Sequence, residues 1–465
     1  MNKRFYETIV WMTCCLPVVA MTLLTAACSD NGSSTSNTLF NPKEDVTITE
    51  FSPDSGSVRT KMFIYGKNFG TDKTKITVTI GDKSANVIGS DGECVYCMVP
   101  SRCDGPVAVS VTDGVTTKTA TSANAFKYIF KPVVRTLIRN VDQYGKSSMK
   151  DGPFEEAGLV NPYWLTIDPK DPSKLFYLEW GTNVRLIDLK NKTVSTCIPS
   201  GAGGMNRPSS ACWTKSGDTL LISNGSGTEN ENSIAVMYLT RASQFKTVRT
   251  LATTIMCNSV AVNPVDGEIF YMSGSNARVF RYNRKTQSGD LIGSFRVLGP
   301  NFRMFFHPSG KWMYLFDEYH GYIAKSFYDF KTKTLEPPIF FAGNFSEQGY
   351  QDGVGTDIRF SWGYQGIFVK NPQYVREGRE DVYDFYITDS GNDCIRILTP
   401  DARMTTFAGR GSTSLDGSTK GFVDGDLRKE ARFNWPDGIY YDDVNNIFYI
   451  ADYYNHALRY INMSE

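Results

Sequence analysis

The chain has 465 residues, enough for two or three domains. Its 49 basic and 49 acidic residues cancel, which excludes the basic footprint of a nucleic-acid binder and adhesion to an anionic membrane by charge alone. A hydrophobic content of 41% supports an ample core, and 25 Tyr, 29 Phe and 40 Gly against 14 Met favour strands and turns over helices.

The first segment stands outside the fold. Lys3 and Arg4 precede an uncharged apolar stretch from Ile9 to Leu24, which contains Pro17 and ends in Thr25-Ala26-Ala27-Cys28. The stretch is short for a membrane span and reads as an export signal. A Cys after two Ala resembles a bacterial lipoprotein signal, with Thr25 where Leu is usual. The resemblance implies that residues 1–28 are a signal peptide, that Cys28 takes the lipid, and that the protein is anchored in the outer membrane and exposed at the cell surface. Ordinary secretion, with Cys28 unused, is the alternative. Residues 29–45 begin with a Ser/Asn/Gly/Thr run and form a flexible tether.

Residues 46–130 alternate apolar and polar positions between frequent turns, as in Val107-Ala108-Val109-Ser110-Val111, and predict an all-β sandwich. The run Phe51-Ser52-Pro53-Asp54-Ser55-Gly56, then Ile64-Tyr65-Gly66-Lys67-Asn68-Phe69-Gly70 and Val78-Thr79-Ile80-Gly81, resembles the immunoglobulin-like IPT/TIG family. Some of that family bind DNA, but neutral charge and export leave a spacer as the expected role. Cys94-Val95-Tyr96-Cys97 has redox spacing but lies in a strand, not at a helix start, so neither thioredoxin-like chemistry nor zinc is expected. Strand residues three apart face opposite sides. Cys103 is therefore the expected disulfide partner of Cys94 or Cys97. Cys197, Cys212, Cys257 and Cys394 stand singly in apolar contexts and read as buried hydrophobes.

Residues 131–465 repeat themselves. Thr405–Gly409, Asp424-Gly425 and Ala431–Ile439 align with Ile339–Gly343, Asp352-Gly353 and Ile358–Trp362, and with Arg135–Ile138, Asp151-Gly152 and Glu156–Asn161. Phe448–Arg459 aligns with Phe385–Arg396, and weaker copies start at Met313, Phe270, Phe176 and Leu220, which makes six. Asp-x-x-Asn-x-x-Ile-Arg after an apolar strand, as in Asp389–Arg396, resembles the NHL repeat of β-propellers. The resemblance implies a six-bladed propeller over residues 131–465, each blade a four-stranded sheet stacked between neighbours. The last copy ends before its outer strand, and residues 133–139 stand before the first full copy. That early strand is expected to close the ring.

Two loop sets of a propeller converge on one funnel face, one entering each inner strand and one joining the second and third strands. Here they carry Trp164, Trp180, Arg207, Arg303, Tyr319, His320, Trp362, Tyr364, Gln365, Trp435, Asp437, Tyr453 and Tyr454. Five of the seven Trp lie in or near these loops, Trp213 being the fifth. Flat aromatic faces stack on the C–H faces of sugar rings, while Arg, Asn and Asp bond hydroxyls. Packing before the inner strand is the competing role for each aromatic, and turn capping for Asp317, Asp389 and Asp452. His320 and His456 are surface-loop histidines. The chain has no His-Glu-x-x-His, no Gly-x-Ser-x-Gly and no P-loop. Six-bladed propellers of the gluconolactonase type hold a divalent metal on the funnel floor. Glu179, Asn224, Asp389 and Asp452 could imitate that set with calcium, without its characteristic signature; no cofactor is expected.

A lipoprotein signal, an IPT/TIG module and an NHL-like propeller in this order resemble Bacteroidetes surface lipoproteins found beside outer-membrane glycan importers. The resemblance implies an auxiliary nutrient-binding protein that captures an oligosaccharide or glycoconjugate for polysaccharide utilisation, in partnership with an importer complex. A hydrolase, lactonase or lyase with a funnel metal is one alternative. A protein-interaction scaffold docked on the importer is the other. Enzymatic activity is the less expected outcome.

Overall fold

The computed structural model describes residues 39–225, 230–296, 299, 301–345 and 347–464. The export segment, Cys28, residues 29–38 of the tether and Ser226 of one funnel loop lie outside these. The described chain divides into two compact units, one ending at Tyr128 and the other beginning at Ile129.

The first unit is a β-sandwich. Its strands pair in the order Thr47–Ser52, Lys61–Lys67, Cys94–Met98, Lys83–Ser90, Ile76–Ile80, Gly105–Thr112 and Thr117–Tyr128. Period-two alternation puts Val107, Val109 and Val111 inside with Met62, Ile64, Val78, Ile80 and Val95. The expected disulfide is absent. All seven described cysteines are free, Cys97 and Cys103 inside this core as small apolar groups, with the Cys103 Sγ donating to Pro100 O (3.2 Å).

The second unit is a six-bladed propeller. The inner strands are Pro162–Asp168, Pro208–Trp213, Val260–Val262, Phe302–Phe306, Gly366–Lys370 and Pro436–Asp442, one for each of blades 1 to 6. In blades 1 to 5 the next strands follow outward in chain order, and in blades 1 and 5 the short strands Gly152–Pro153 and Gly353–Val354, which precede the inner strand in sequence, pair on the outer edge. Blade 6 takes its outer strand from Val133–Ile138, which pairs antiparallel with Ala457–Asn462. Ile138, Leu165, Ile167, Tyr449 and Leu458 then pack between blades 6 and 1, so the ring has no open edge at its seam.

The repeated motif holds each blade together internally. In blade 6 the Asp452 carboxylate accepts from Asn434 N, Asn455 Nδ2 and Arg459 Nη1, each at 2.8 Å. Arg459 continues to Asp424 (2.5 Å), which accepts from Thr136 N of the closing strand (3.1 Å). Blade 5 repeats this with Asp389, Asn392, Arg396 and Asp352, and blade 1 with Glu179, Asn183, Arg185 and Asp151. These three arginines are fully buried, and each meets a carboxylate on both sides, as a charge removed from water must.

Candidate funnel-face binding site

The blades present equivalent residues at the funnel in two tiers, a mouth and a floor. The mouth is formed by the residue before each inner strand, or four before it in blades 3 and 5: Asn161, Arg207, Met256, Asn301, Trp362 and Trp435. In every blade its carbonyl accepts a hydrogen bond from the residue just beyond the second strand, namely Trp180, Gly225, Gly274, Glu318, Ser390 and Tyr453 (2.8–3.3 Å). The floor lies one step deeper: Tyr163, Ser209, Asn258, Arg303, Tyr364 and Asp437. Asn161, Met256, Trp362 and Trp435 have positive φ, the last two at 53° and 62°. Bulky aromatics seldom adopt this left-handed backbone, and such strain gathers at functional positions.

Arg303 organises the floor. It is 0% exposed, and its guanidinium donates to Ser209 O (3.1 Å), Asn258 O and the Tyr163 hydroxyl (2.5 Å). Its Nε lies 2.5 Å from Glu318 Oε1, an ion pair that compensates two charges in a dry site. Asp437 is 2% exposed, and its Oδ1 has no hydrogen-bond partner among the described residues. Burial pushes the Asp437 carboxyl well above the usual carboxylate range, against the opposing pull of the Ser390 hydroxyl and Arg303. Burial also raises Glu318, outweighing Arg303.

Above this floor the aromatic rings touch one another. Tyr319 meets Trp362 edge-on (4.7 Å between centroids), Trp362 lies 6.3 Å from Trp435, Trp435 lies 5.9 Å from Tyr454, and Tyr454 meets Tyr453 (4.9 Å). Tyr163 joins Trp180 (4.5 Å) and Tyr364 (5.3 Å), and the Arg207 guanidinium stacks over Trp180 (4.5 Å). The aromatic arc runs through blades 4, 5, 6 and 1. Blades 2 and 3 contribute Arg207 and Met256 at the mouth and Gly225, Gly274, Ser209 and Asn258 beside and beneath them, with no aromatic ring among these six.

Most of the residues singled out in the sequence therefore converge, but four do not. Trp164 is buried, donating Nε1 to Ala211 O (2.9 Å) and stacking on Phe305, because the inner strand turns it between blades. Trp213 likewise packs against Phe176 and Phe245. Gln365 is a plug on the axis: its amide bonds Leu165 N and O (2.9 and 2.7 Å) and Ile439 N (3.2 Å), joining blades 5, 1 and 6. The His320 ring sits against Phe345, with Nδ1 2.9 Å from Asp317 Oδ1. Arg303 and Asp437 are at the site but beneath it. Tyr163 and Glu318 escaped sequence reasoning as site residues. Both could have been found by counting one residue into each inner strand and one past each motif carboxylate.

The lactonase-like metal set does not fit. Glu179, Asp389 and Asp452 are each held by an arginine of their own blade, and Asn224 accepts from Asn206 N and Arg207 N (3.0 and 2.9 Å). Among the described residues no group of three or more His, Cys, Asp or Glu side chains is arranged to hold a metal.

Residues 46–128 match the IPT/TIG domain family. No curated protein matches the chain. Among solved structures, an auxiliary nutrient binding protein from Bacteroides thetaiotaomicron is 38% identical, covering 91% of this chain and 99% of its own, with a TM-score of 0.77. This chain belongs to that protein's family. A second auxiliary nutrient binding protein in it, from Bacteroides ovatus, is 32% identical over 91% of this chain and 99% of its own, with a TM-score of 0.74. A third relative, from B. thetaiotaomicron and provisionally named a phosphatase, is 31% identical over 92% and 99%, with a TM-score of 0.73. The matches extend across both units, so the family is defined by the sandwich followed by the propeller, not by the sandwich alone.

Proposed function

We propose that this protein captures an oligosaccharide or glycoconjugate on the propeller's funnel face for uptake, while anchored to the outer membrane through lipid on Cys28 and working beside an importer. One observation carries the reading: a contiguous aromatic arc, Tyr319–Trp362–Trp435–Tyr454–Tyr453, stands over a floor whose charged groups are sealed. Such rings offer stacking area to sugar C–H faces at small entropic cost. The nutrient-binding names of two relatives support the same role.

The floor carboxyls Glu318 and Asp437, both raised by burial, favour hydrolysis as a second reading, since general acids are tuned in that way. Their exposures of 4% and 2% leave a substrate no route to them. Capture is therefore the stronger reading.

The test is calorimetric titration of the full-length chain in detergent with a panel of oligosaccharides, followed by product analysis. Binding with the ligand recovered intact is expected. Trp362→Ala and Trp435→Ala should each weaken it by about 2 kcal/mol or more, roughly thirtyfold in Kd, with unchanged melting. Cleaved product would move the reading to the hydrolase, and silence across the panel would move it to the scaffold.

A further inference from the structure

We infer that the saccharide taken at this face is acidic, its carboxylate or sulfate oxyanion seated on the Arg207 guanidinium; this deepens the capture reading and rests on it.

The argument begins with which charges at the face are already spent. Arg303 is committed to Glu318, at 2.5 Å, and to the hydroxyl and carbonyls of the floor. Asp437 is sealed, and burial favours its neutral form. Arg207 differs from both. Among the described residues no carboxylate lies within ion-pair distance of it, and its side chain makes no hydrogen bond. Its Nε is buried without an acceptor. What holds it is the Trp180 ring, 4.5 Å beneath the guanidinium. A guanidinium pinned by stacking keeps its plane and presents its N–H fork at the edge, the geometry that bonds a carboxylate or sulfate through two parallel contacts. A lysine there would be a mobile point charge instead.

Position agrees with this role. Arg207 occupies the mouth tier, equivalent to Trp362 and Trp435, so the cation stands level with the stacking surfaces. Its charge acts on both Glu318 and Tyr319, and Tyr319 meets Trp362. The neighbouring positions toward blade 3 are Gly225, packed against Asn258 and Ser209, and Gly274, packed against Met256. A sugar ring laid on the aromatic arc beside Tyr319 would direct a charged substituent toward this cation of blade 2. Near a desolvating aromatic wall such a pair is less screened than on open surface.

The experiment titrates the full-length chain in detergent with four probes: tetragalacturonate, the same oligomer with its carboxyls reduced to neutral alcohols, a sulfated oligosaccharide and its desulfated form. At least one acidic probe should bind about tenfold to a hundredfold tighter than its neutral counterpart, and the margin should shrink as salt rises. A preference for uronate or for sulfate identifies which oxyanion is taken. Arg207→Gln should abolish the acidic preference and Arg207→Lys restore part of it, both melting as the parent does, while Trp362→Ala should weaken acidic and neutral probes alike. Neutral probes binding as tightly as acidic ones, or a preference that survives Arg207→Gln, would overturn the inference and leave capture standing. Silence with every saccharide would overturn both.

Discussion

Trp362 and Trp435 occupy left-handed backbone that costs energy for bulky side chains, and they are also the largest rings at the funnel mouth. The cost is met by a hydrogen bond on each carbonyl, from Ser390 N (3.1 Å) and Tyr453 N (3.3 Å). The turn that strains these residues is the one that lifts them out of the blade. Asp437 carries a different kind of strain, a buried carboxyl with one oxygen unpartnered. Its folded pKa lies above the ordinary 3.8, so its contribution to stability is complete below that value and is lost as pH rises through the folded value. Asn at this position is neutral at every pH. Asp437→Asn should therefore raise the melting temperature at pH 7, with the gain fading toward pH 4. Thermal melts across that range decide it, and a variant less stable than the parent at pH 7 would show the carboxylate to be paired. None of this was legible in the sequence, where Asp437 looked like a ligand-bonding group; burial is set by what the other five blades place around it.

Each blade is the unit in which the repeated motif acts. Asp-x-x-Asn-x-x-Ile-Arg spells out a side-chain relay: the Asp accepts from a backbone N–H ahead of the inner strand, from the Asn and from the Arg, and the Arg bridges to the Asp of the Asp-Gly turn beyond the outer strand. Turn capping, the role the spacing suggested for Asp317, Asp389 and Asp452, holds for Asp317, whose Oδ1 accepts from Tyr319 N and His320 N. It does not hold for Asp389 or Asp452, whose carboxylates accept from no backbone N–H of the turn that follows them. The arginine's second partner, 35 residues upstream in blade 6 or 44 in blade 5, was not legible at all. The relay in blade 6 crosses the seam, because Asp424 accepts from Thr136 of the closing strand. Strand and relay should therefore fail together. A chain beginning at Phe130 should keep the propeller's cooperative melting transition, and one beginning at Asn140, lacking Val133–Ile138, should lose it or aggregate, since it exposes the edge of Ala457–Asn462. Circular dichroism and calorimetry separate the two outcomes. An unchanged transition without that strand would mean that the seam is not what holds the ring.

Over the whole chain, export, anchor and capture make one proposed path, and its first step is testable by itself. Cys28→Ser should shift the protein from the membrane fraction to the soluble fraction and abolish incorporation of labelled fatty acid. Labelling that persists in the variant would remove the anchor from the proposal. The chain's net charge of zero supplies no electrostatic attraction to an anionic membrane, so the proposed attachment rests on the lipid.

By itself the sequence determined the all-β class, the IPT/TIG sandwich, the six repeats and the aromatic wealth of the funnel loops, because alternation, turn residues and repeat period are local signals that survive without coordinates. Tertiary structure alone decided which of those aromatics face outward. Trp164, in its inner strand, lies only three residues beyond the position equivalent to Trp362, yet it faces a neighbouring blade while Trp362 faces the mouth. Tertiary structure also decided that Arg303 is sealed beneath the site while Arg207 has no carboxylate within ion-pair distance among the described residues. These are contacts between blades, made by residues some 45 to 140 positions apart, as in the bonds from Arg303 to Asn258 and Tyr163. Charge compensation at such range depends on how six sheets close around an axis, and no local pattern encodes it.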